Sequence, residues 1–204
     1  ASRLAPFEAG MQRFWAAYDE HQRDGFARKL GLAKLERGDG PEDPRGDLPL
    51  VNDLLGLLPQ EEVDMTLFFR GLIARPAVRE APAEQRLSTV RDAMYAPEKL
   101  VGPAREAWAD WLARYDERSE RDELSASARE EVMRRANPKY VLRNYLAQLA
   151  IDDAEKGDPG LIGELLDTLR RPYDEQPSRE SKFAGKRPDW ARHRPGCSML
   201  SCSS

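Results

Sequence analysis

Histidine and cysteine are almost missing from this chain, and most familiar catalytic arrangements go with them. Among 204 residues there are two histidines, His21 and His193, and two cysteines, Cys197 and Cys202. Neither histidine has a nucleophile–base partner near it in sequence, so acyl transfer of the serine or cysteine type finds no support. No zincin motif and no His-Arg-Asp or Asp-Phe-Gly element of a protein kinase occurs. A glycine-rich phosphate loop is lacking too: Gly38-Asp39-Gly40 stands among charges and prolines, not between a strand and a helix. Two cysteines cannot build a disulfide scaffold, and a reducing compartment is the default expectation. Charge of one sign is not in excess. A formal net charge of −4 gives no bulk attraction to nucleic acid or to an anionic membrane, and neither is expected as a partner. Long apolar runs are absent. The longest, Leu48–Leu58, is broken by Pro49, Asn52, Asp53 and Gly56, well short of the roughly 18 residues of a membrane span. The opening Ala1-Ser-Arg-Leu-Ala-Pro6 shows no apolar leader and no initiator methionine, so a segment of a longer chain is expected.

What is present is helical periodicity. Charged residues make up 33% and hydrophobic ones 40%, the balance of a soluble protein with a modest core. Phe7, Met11, Phe14, Trp15 and Tyr18 recur at helical spacing, and Phe26 and Leu30 extend the pattern past Gly25. Gly38–Pro44 reads as a loop. Leu50, Val51, Leu54, Leu55 and Leu58 mark a short helix ended by Pro59; Val63, Leu67, Phe68 and Leu72 mark another before Pro76. Leu87, Val90 and Met94 suggest a third. Trp108, Trp111, Leu112 and Tyr115 form one stripe on a helix starting near Pro103, whose charged end, Asp116–Glu123, is expected to be solvated. Ser127 with Glu130 reads as a capping box. After Pro138, Val141, Leu142, Tyr145, Leu146, Leu149 and Ala150 share a face up to Gly157, and Asp158-Pro159 restarts the chain for Leu161, Leu165, Leu166 and Leu169. The expectation is an all-α architecture in two parts: a helical region, 1–171, and an irregular tail, 172–204, anchored by Tyr173, Phe183 and Trp190. The Trp108 and Tyr145 stripes are expected to pack together.

Few residues offer chemistry. His193, Cys197 and Cys202 could be three ligands of a metal, but the spacing is loose, a fourth ligand is missing and Arg192 and Arg194 flank the histidine. Asp152 and Asp153 are adjacent on a helix and diverge by ~100°, which suits a polar face better than an acid–base pair. The Trp108–Trp111 pair fits a core, and His21 fits a solvated surface. Cysteines on a terminal tail are expected to be exposed, which makes Cys202 and Cys197 the candidate redox residues. Neither a catalytic residue nor a cofactor-binding or metal-binding residue emerges from the residues themselves.

Several segments resemble the selenoprotein O family. They are Asn137–Ile151 with Glu155–Asp158, Pro172–Pro177, Pro188–Trp190 leading into Leu200–Ser204, and, upstream, Phe26–Leu32 and Asp64–Leu72. The resemblance implies a kinase-like (pseudokinase) fold and a protein adenylyltransferase that binds ATP inverted relative to kinases. It implies transfer of AMP, with Mg²⁺, to Ser, Thr or Tyr hydroxyls of protein substrates. The family's Gly-rich loop, catalytic lysine and metal-binding acidic residues precede the region present here. The chain would thus be the C-terminal helical part, its partner the upstream kinase-like catalytic region of the same polypeptide, and its compartment the bacterial cytoplasm. Cys202, third from the end, matches a position that is selenocysteine in some relatives, and its implied role is redox pairing with a cysteine of the catalytic region. Those relatives carry a cysteine three residues earlier, where this chain has Met199; Cys197 lies two residues further back. Two other readings stay open: a stand-alone helical interaction or regulatory module without catalysis, and a thiol-redox protein in its own right.

Overall fold

The computed structural model describes residues 5–39, 45–75 and 80–197. Ten α-helices are described: α1 Ala5–Leu30, α2 Leu48–Gln60, α3 Met65–Ile73, α4 Ala83–Arg86, α5 Ser88–Ala93, α6 Gly102–Glu120, α7 Ala126–Ala136, α8 Asn144–Glu155, α9 Gly160–Leu169 and α10 Pro177–Phe183. Among the described residues there is no strand, only an isolated bridge between Val63 and Met94. The all-α expectation holds.

The periodic apolar positions explain where most helices pack. Two hydrophobic clusters form, and they are separate. The larger is built by α1, α2, α3, α5, α6 and α7 with the segments between them, and centres on Phe68, Trp108, Trp111 and Tyr115. The Phe68 ring lies 5.3 Å from Trp108 and 5.8 Å from Trp111, and Trp111 stacks on Tyr115 at 5.4 Å. Two polar tips are satisfied inside this core: the Trp111 indole donates to the Leu50 carbonyl at 2.8 Å and the Tyr115 hydroxyl to the Leu30 carbonyl at 2.9 Å. The smaller cluster gathers Tyr140, Tyr145, Leu146, Ala150, Leu165, Phe183, Ala184, Ala191 and Cys197 from α8, α9, α10 and the tail. The Trp108 and Tyr145 stripes therefore do not share one core, which corrects the sequence expectation.

Other corrections have local causes. Pro59 sits inside α2 rather than ending it. The cap of α7 is Ser125, not Ser127; its Oγ accepts from the Ala128 amide at 3.2 Å. Val141 and Leu142 precede α8, and Leu142 is exposed. The charged end of α6 is solvated only in part: Glu117, Glu120, Arg121 and Glu123 are exposed, but Arg118 is buried, bonded to Asp47 at 2.9 Å, to Asp122 at 3.1 Å and to the Lys34 carbonyl at 3.1 Å. The tail is only partly irregular, since α10 and a 3₁₀ turn at Asp189–Ala191 lie in it. Of its three expected anchors Phe183 is buried. Trp190 stays about half exposed, edge-on to Tyr145 at 6.1 Å, and Tyr173 is 45% exposed.

α1 ends at Gly31 because only a residue without Cβ fits there. Its φ is +69°, and a Cβ would come within 2.5 Å of Arg129 Cγ and 2.6 Å of Met133 Sδ. The Leu32 amide closes the end by donating back to the Ala27 carbonyl at 2.8 Å.

Candidate functional site

The tail is where the sequence placed function, and the structure docks it through a seam of charge. At its start, the Lys139 and Tyr140 amides both donate to the Pro172 carbonyl, at 2.8 and 3.1 Å. The Tyr140 hydroxyl donates to the Gln176 carbonyl at 2.9 Å, and the Gln176 amide returns to the Thr168 and Arg171 carbonyls. Between these anchors Glu175 receives three cations: Arg70 from α3, Arg134 from α7 at 2.5 Å, and Lys139 at 2.5 Å. Lys139 also holds Glu180 at 2.8 Å. These side chains line an open groove of about 650 Å³.

A second stitch joins the clusters deeper down. Asp64 caps α3, accepting from the Leu67 amide at 3.1 Å, and takes the guanidinium of Arg143 and the Tyr95 hydroxyl on its other lone pairs. Further along, Lys186 donates to the Met94 carbonyl at 2.7 Å, and Arg187 lies over the Tyr95 ring at 5.0 Å. Arg187 and Arg192 both grip Glu62, at 2.7 and 2.9 Å. Arg194 closes the tail on Asp152. On the other side Asn137, itself buried, donates to the Lys29 carbonyl at 2.9 Å.

The electrostatics follow from this pairing. Burial pushes the Asp64 carboxyl up, but the Arg143 guanidinium, the Leu67 amide and the Tyr95 hydroxyl outweigh it and hold the group below its ordinary value. Burial likewise opposes Arg192 and Arg187 at Glu62, and opposes Lys139, Arg70 and Arg134 at Glu175; in both the cations win and the carboxyl is held low. Burial raises Tyr95. Glu62, Asp64 and Glu175 are therefore held as charged partners of the seam's cations.

The sequence-selected residues fall as follows. Cys197 is a free thiol, buried in the smaller cluster, which corrects the expectation that it is exposed. Cys202 lies outside the described residues, as do residues 40–44 of the expected loop. His193 is exposed. His21 is exposed on α1, with Nδ1 2.7 Å from the Ala17 carbonyl. Asp152 and Asp153 part company: Asp152 bonds Gln148 and Arg194, Asp153 bonds Lys156. Among the described residues no three His, Cys, Asp or Glu side chains lie close enough to share a metal ion. No described helix is long and apolar enough to cross a membrane.

Reasoning from sequence missed the seam itself. Its signal was present in another form. Lys29, Asp64, Arg70, Asn137, Lys139, Arg143 and Glu175 all come from the segments that carried the family resemblance, and the structure brings those segments together.

Comparison with known proteins agrees. The family model described as Protein adenylyltransferase SelO matches residues 3–170. A protein of Xanthomonas oryzae pv. oryzae (strain PXO99A) named Protein nucleotidyltransferase YdiU is 48% identical over 200 residues, 98% of this chain and 36% of that protein. Proteins of the same name from Xanthomonas axonopodis pv. citri (strain 306) and Azoarcus sp. (strain BH72) are each 47% identical, over 98% and 97% of this chain and 36% and 35% of their own length. The chain thus spans about a third of the curated relatives it matches. The similarity also runs on into the tail that the family model leaves out.

Proposed function

The chain belongs to the SelO family of protein adenylyltransferases, and from that premise we propose that it is the C-terminal helical part of an enzyme that moves AMP from ATP onto Ser, Thr or Tyr hydroxyls of other proteins. In that reaction the acceptor oxygen attacks the α-phosphorus and pyrophosphate leaves. The observation that carries the reading is the near-full-length match to protein nucleotidyltransferases of almost three times this length. ATP and Mg²⁺ belong, on this reading, to the kinase-like region outside this chain. The acidic groups of the seam are already paired with arginine and lysine. The role of this segment is to cover and brace the catalytic region and to present the tail. Its setting is the cytoplasm.

The tail supplies the regulatory half of the proposal. Cys202 forms a reversible disulfide with a cysteine of the catalytic region, each thiol losing a proton and the pair giving two electrons to a thiol–disulfide oxidant. Cys197 is buried in the smaller cluster and packs as a small apolar side chain.

Two measurements test this. The full-length protein incubated with labelled ATP and Mg²⁺ should label a protein substrate, and the present segment alone should not; labelling by the segment alone refutes the assignment of the catalytic groups. Alkylation of the folded full-length protein should modify Cys202 before Cys197 under reducing conditions, and mild oxidation should protect Cys202. If Cys202→Ala leaves the reductant dependence of AMP transfer unchanged, the regulatory role is wrong.

A further inference from the structure

The first half of α1 is built as an interior helix, yet it stands in water. Phe7, Met11, Phe14, Trp15 and Tyr18 are spaced to lie along one side of it and are 42% to 69% exposed. None of the five belongs to either hydrophobic cluster. Their rings meet mainly each other: Phe14 to Trp15 at 5.2 Å, Phe14 to Tyr18 at 6.2 Å and Trp15 to Tyr18 at 5.9 Å. The rest of this half-helix is mostly exposed as well, yet it carries little charge. From residue 7 to residue 18 the only charged side chains are Glu8 and Arg13, and the others include Ala9, Gly10, Ala16 and Ala17. A helix this poor in charge on all sides belongs inside a protein. A contiguous exposed patch of large apolar side chains marks a surface that something covers.

We propose that this stripe is the docking surface for the catalytic region of the same polypeptide, the part that lies outside this chain. The inference rests on the function proposed above and names the place where the two parts join. Three observations select this occupant. Roughly two-thirds of the length of the curated relatives lies outside the matched stretch, and on the function proposed above that remainder is a partner of sufficient size on the same polypeptide. The stripe is rich in Phe, Trp, Tyr and Met, the residue types enriched at the centre of protein–protein interfaces. A lipid surface fits poorly, because residues 7–18 carry one acid and one base, and Asp19 and Glu20 follow; a membrane-surface helix is rich in Lys and Arg on its polar face. Below Tyr18 the same helix enters the larger cluster through Ala27 and Leu30. α1 thus joins two cores, one at each end.

Photo-crosslinking in the full-length protein tests this. With Met11→p-benzoylphenylalanine, irradiation should give an intramolecular adduct between position 11 and the sequence that precedes this chain. Adding Phe14→Ser and Trp15→Ser should reduce that adduct by roughly tenfold or more, a change equivalent to about 1.4 kcal/mol, since two rings of apolar burial are lost. A covalent dimer joined at position 11 would instead make the stripe a self-association surface, and an adduct with lipid alone would make it a membrane contact; either overturns the proposal. So does an adduct unchanged by the two serines. AMP transfer is measured on the same preparation. Transfer without the intramolecular adduct sinks only the docking surface, and the adduct without transfer sinks only the enzymatic reading.

Discussion

The two hydrophobic clusters are held by different forces. The larger one is aromatic and interlocked, with three Trp and Phe rings fully buried around Leu30, Leu54 and Leu72. The smaller one has fewer large side chains, fills its gaps with Ala150, Ala184, Ala191 and Cys197, and leans on a seam of ion pairs. Apolar burial is indifferent to pH, and carboxylate–guanidinium pairing is not. Ion pairs border both clusters, Arg118–Asp47 and Arg75–Asp116 beside the larger one, but the smaller cluster relies on them more and should respond more to acid.

The hardest blow to the larger cluster is Trp111→Ala. It removes a fully buried indole, its stack on Tyr115 and its bond to the Leu50 carbonyl. A loss of about 3–5 kcal/mol in denaturant unfolding is expected. A loss under ~1 kcal/mol would mean that this cluster is not the stable one. Next comes Arg143→Met, which keeps volume at the seam but strips the guanidinium from Asp64. About 2–3 kcal/mol should go, with Asp64 left partly satisfied by Leu67 and Tyr95. Amide exchange should accelerate in α8 and the tail far more than around Trp108; an equal acceleration in both would erase the distinction between the clusters.

Acid sharpens the contrast without mutation. The carboxyls of Glu62, Asp64 and Glu175 are held below their ordinary values in the folded chain. A depressed carboxyl lends stability that is complete above its unfolded pKa and is lost as pH falls through the folded one. The seam should accordingly be intact above about pH 5 and weaken below about pH 4. Exchange protection in α10 should fade in that range while the Trp108 region keeps its own. Protection that disappears together in both would contradict this account. The smallest expected effect is Leu149→Ala. Leu149 is only partly buried against the smaller cluster, so about 1–2 kcal/mol is expected, read from the denaturation midpoint.

Helices were legible in the sequence, and what covers them was not. Trp108-Trp111-Tyr115 and Phe14-Trp15-Tyr18 carry the same residue types at helical spacing, yet one set is buried and the other exposed. Periodicity tells which side of a helix is apolar and says nothing of the partner. The end of α6 shows the converse. Arg118, Ser119 and Asp122 continue the Trp111–Tyr115 stripe at i+3, i+4 and i+7 from Tyr115, so position alone placed them inside. Composition alone suggested a solvated run, which Glu117, Glu120, Arg121 and Glu123 follow, and position won at Arg118 because Asp47 stands opposite to neutralise it. The seam escaped because its members lie far apart in sequence. Arg143 and Asp64 are 79 residues apart, and Glu62 and Arg192 are 130 apart.

One mechanical consequence follows from the end of α1. From Phe7 to Leu30 the helix is about 35 Å long, clamped at one end where Gly31 turns against Arg129 and Met133. It is a cantilever. A tilt of only about 10° at the clamp sweeps the tip through about 6 Å, more than the rise of about 5.4 Å in one helical turn. The aim of the aromatic tip thus depends on packing at the opposite end of the rod, where Gly31 meets two side chains of α7, and Gly31→Ala, which drives a methyl into both, should misdirect the tip without touching it.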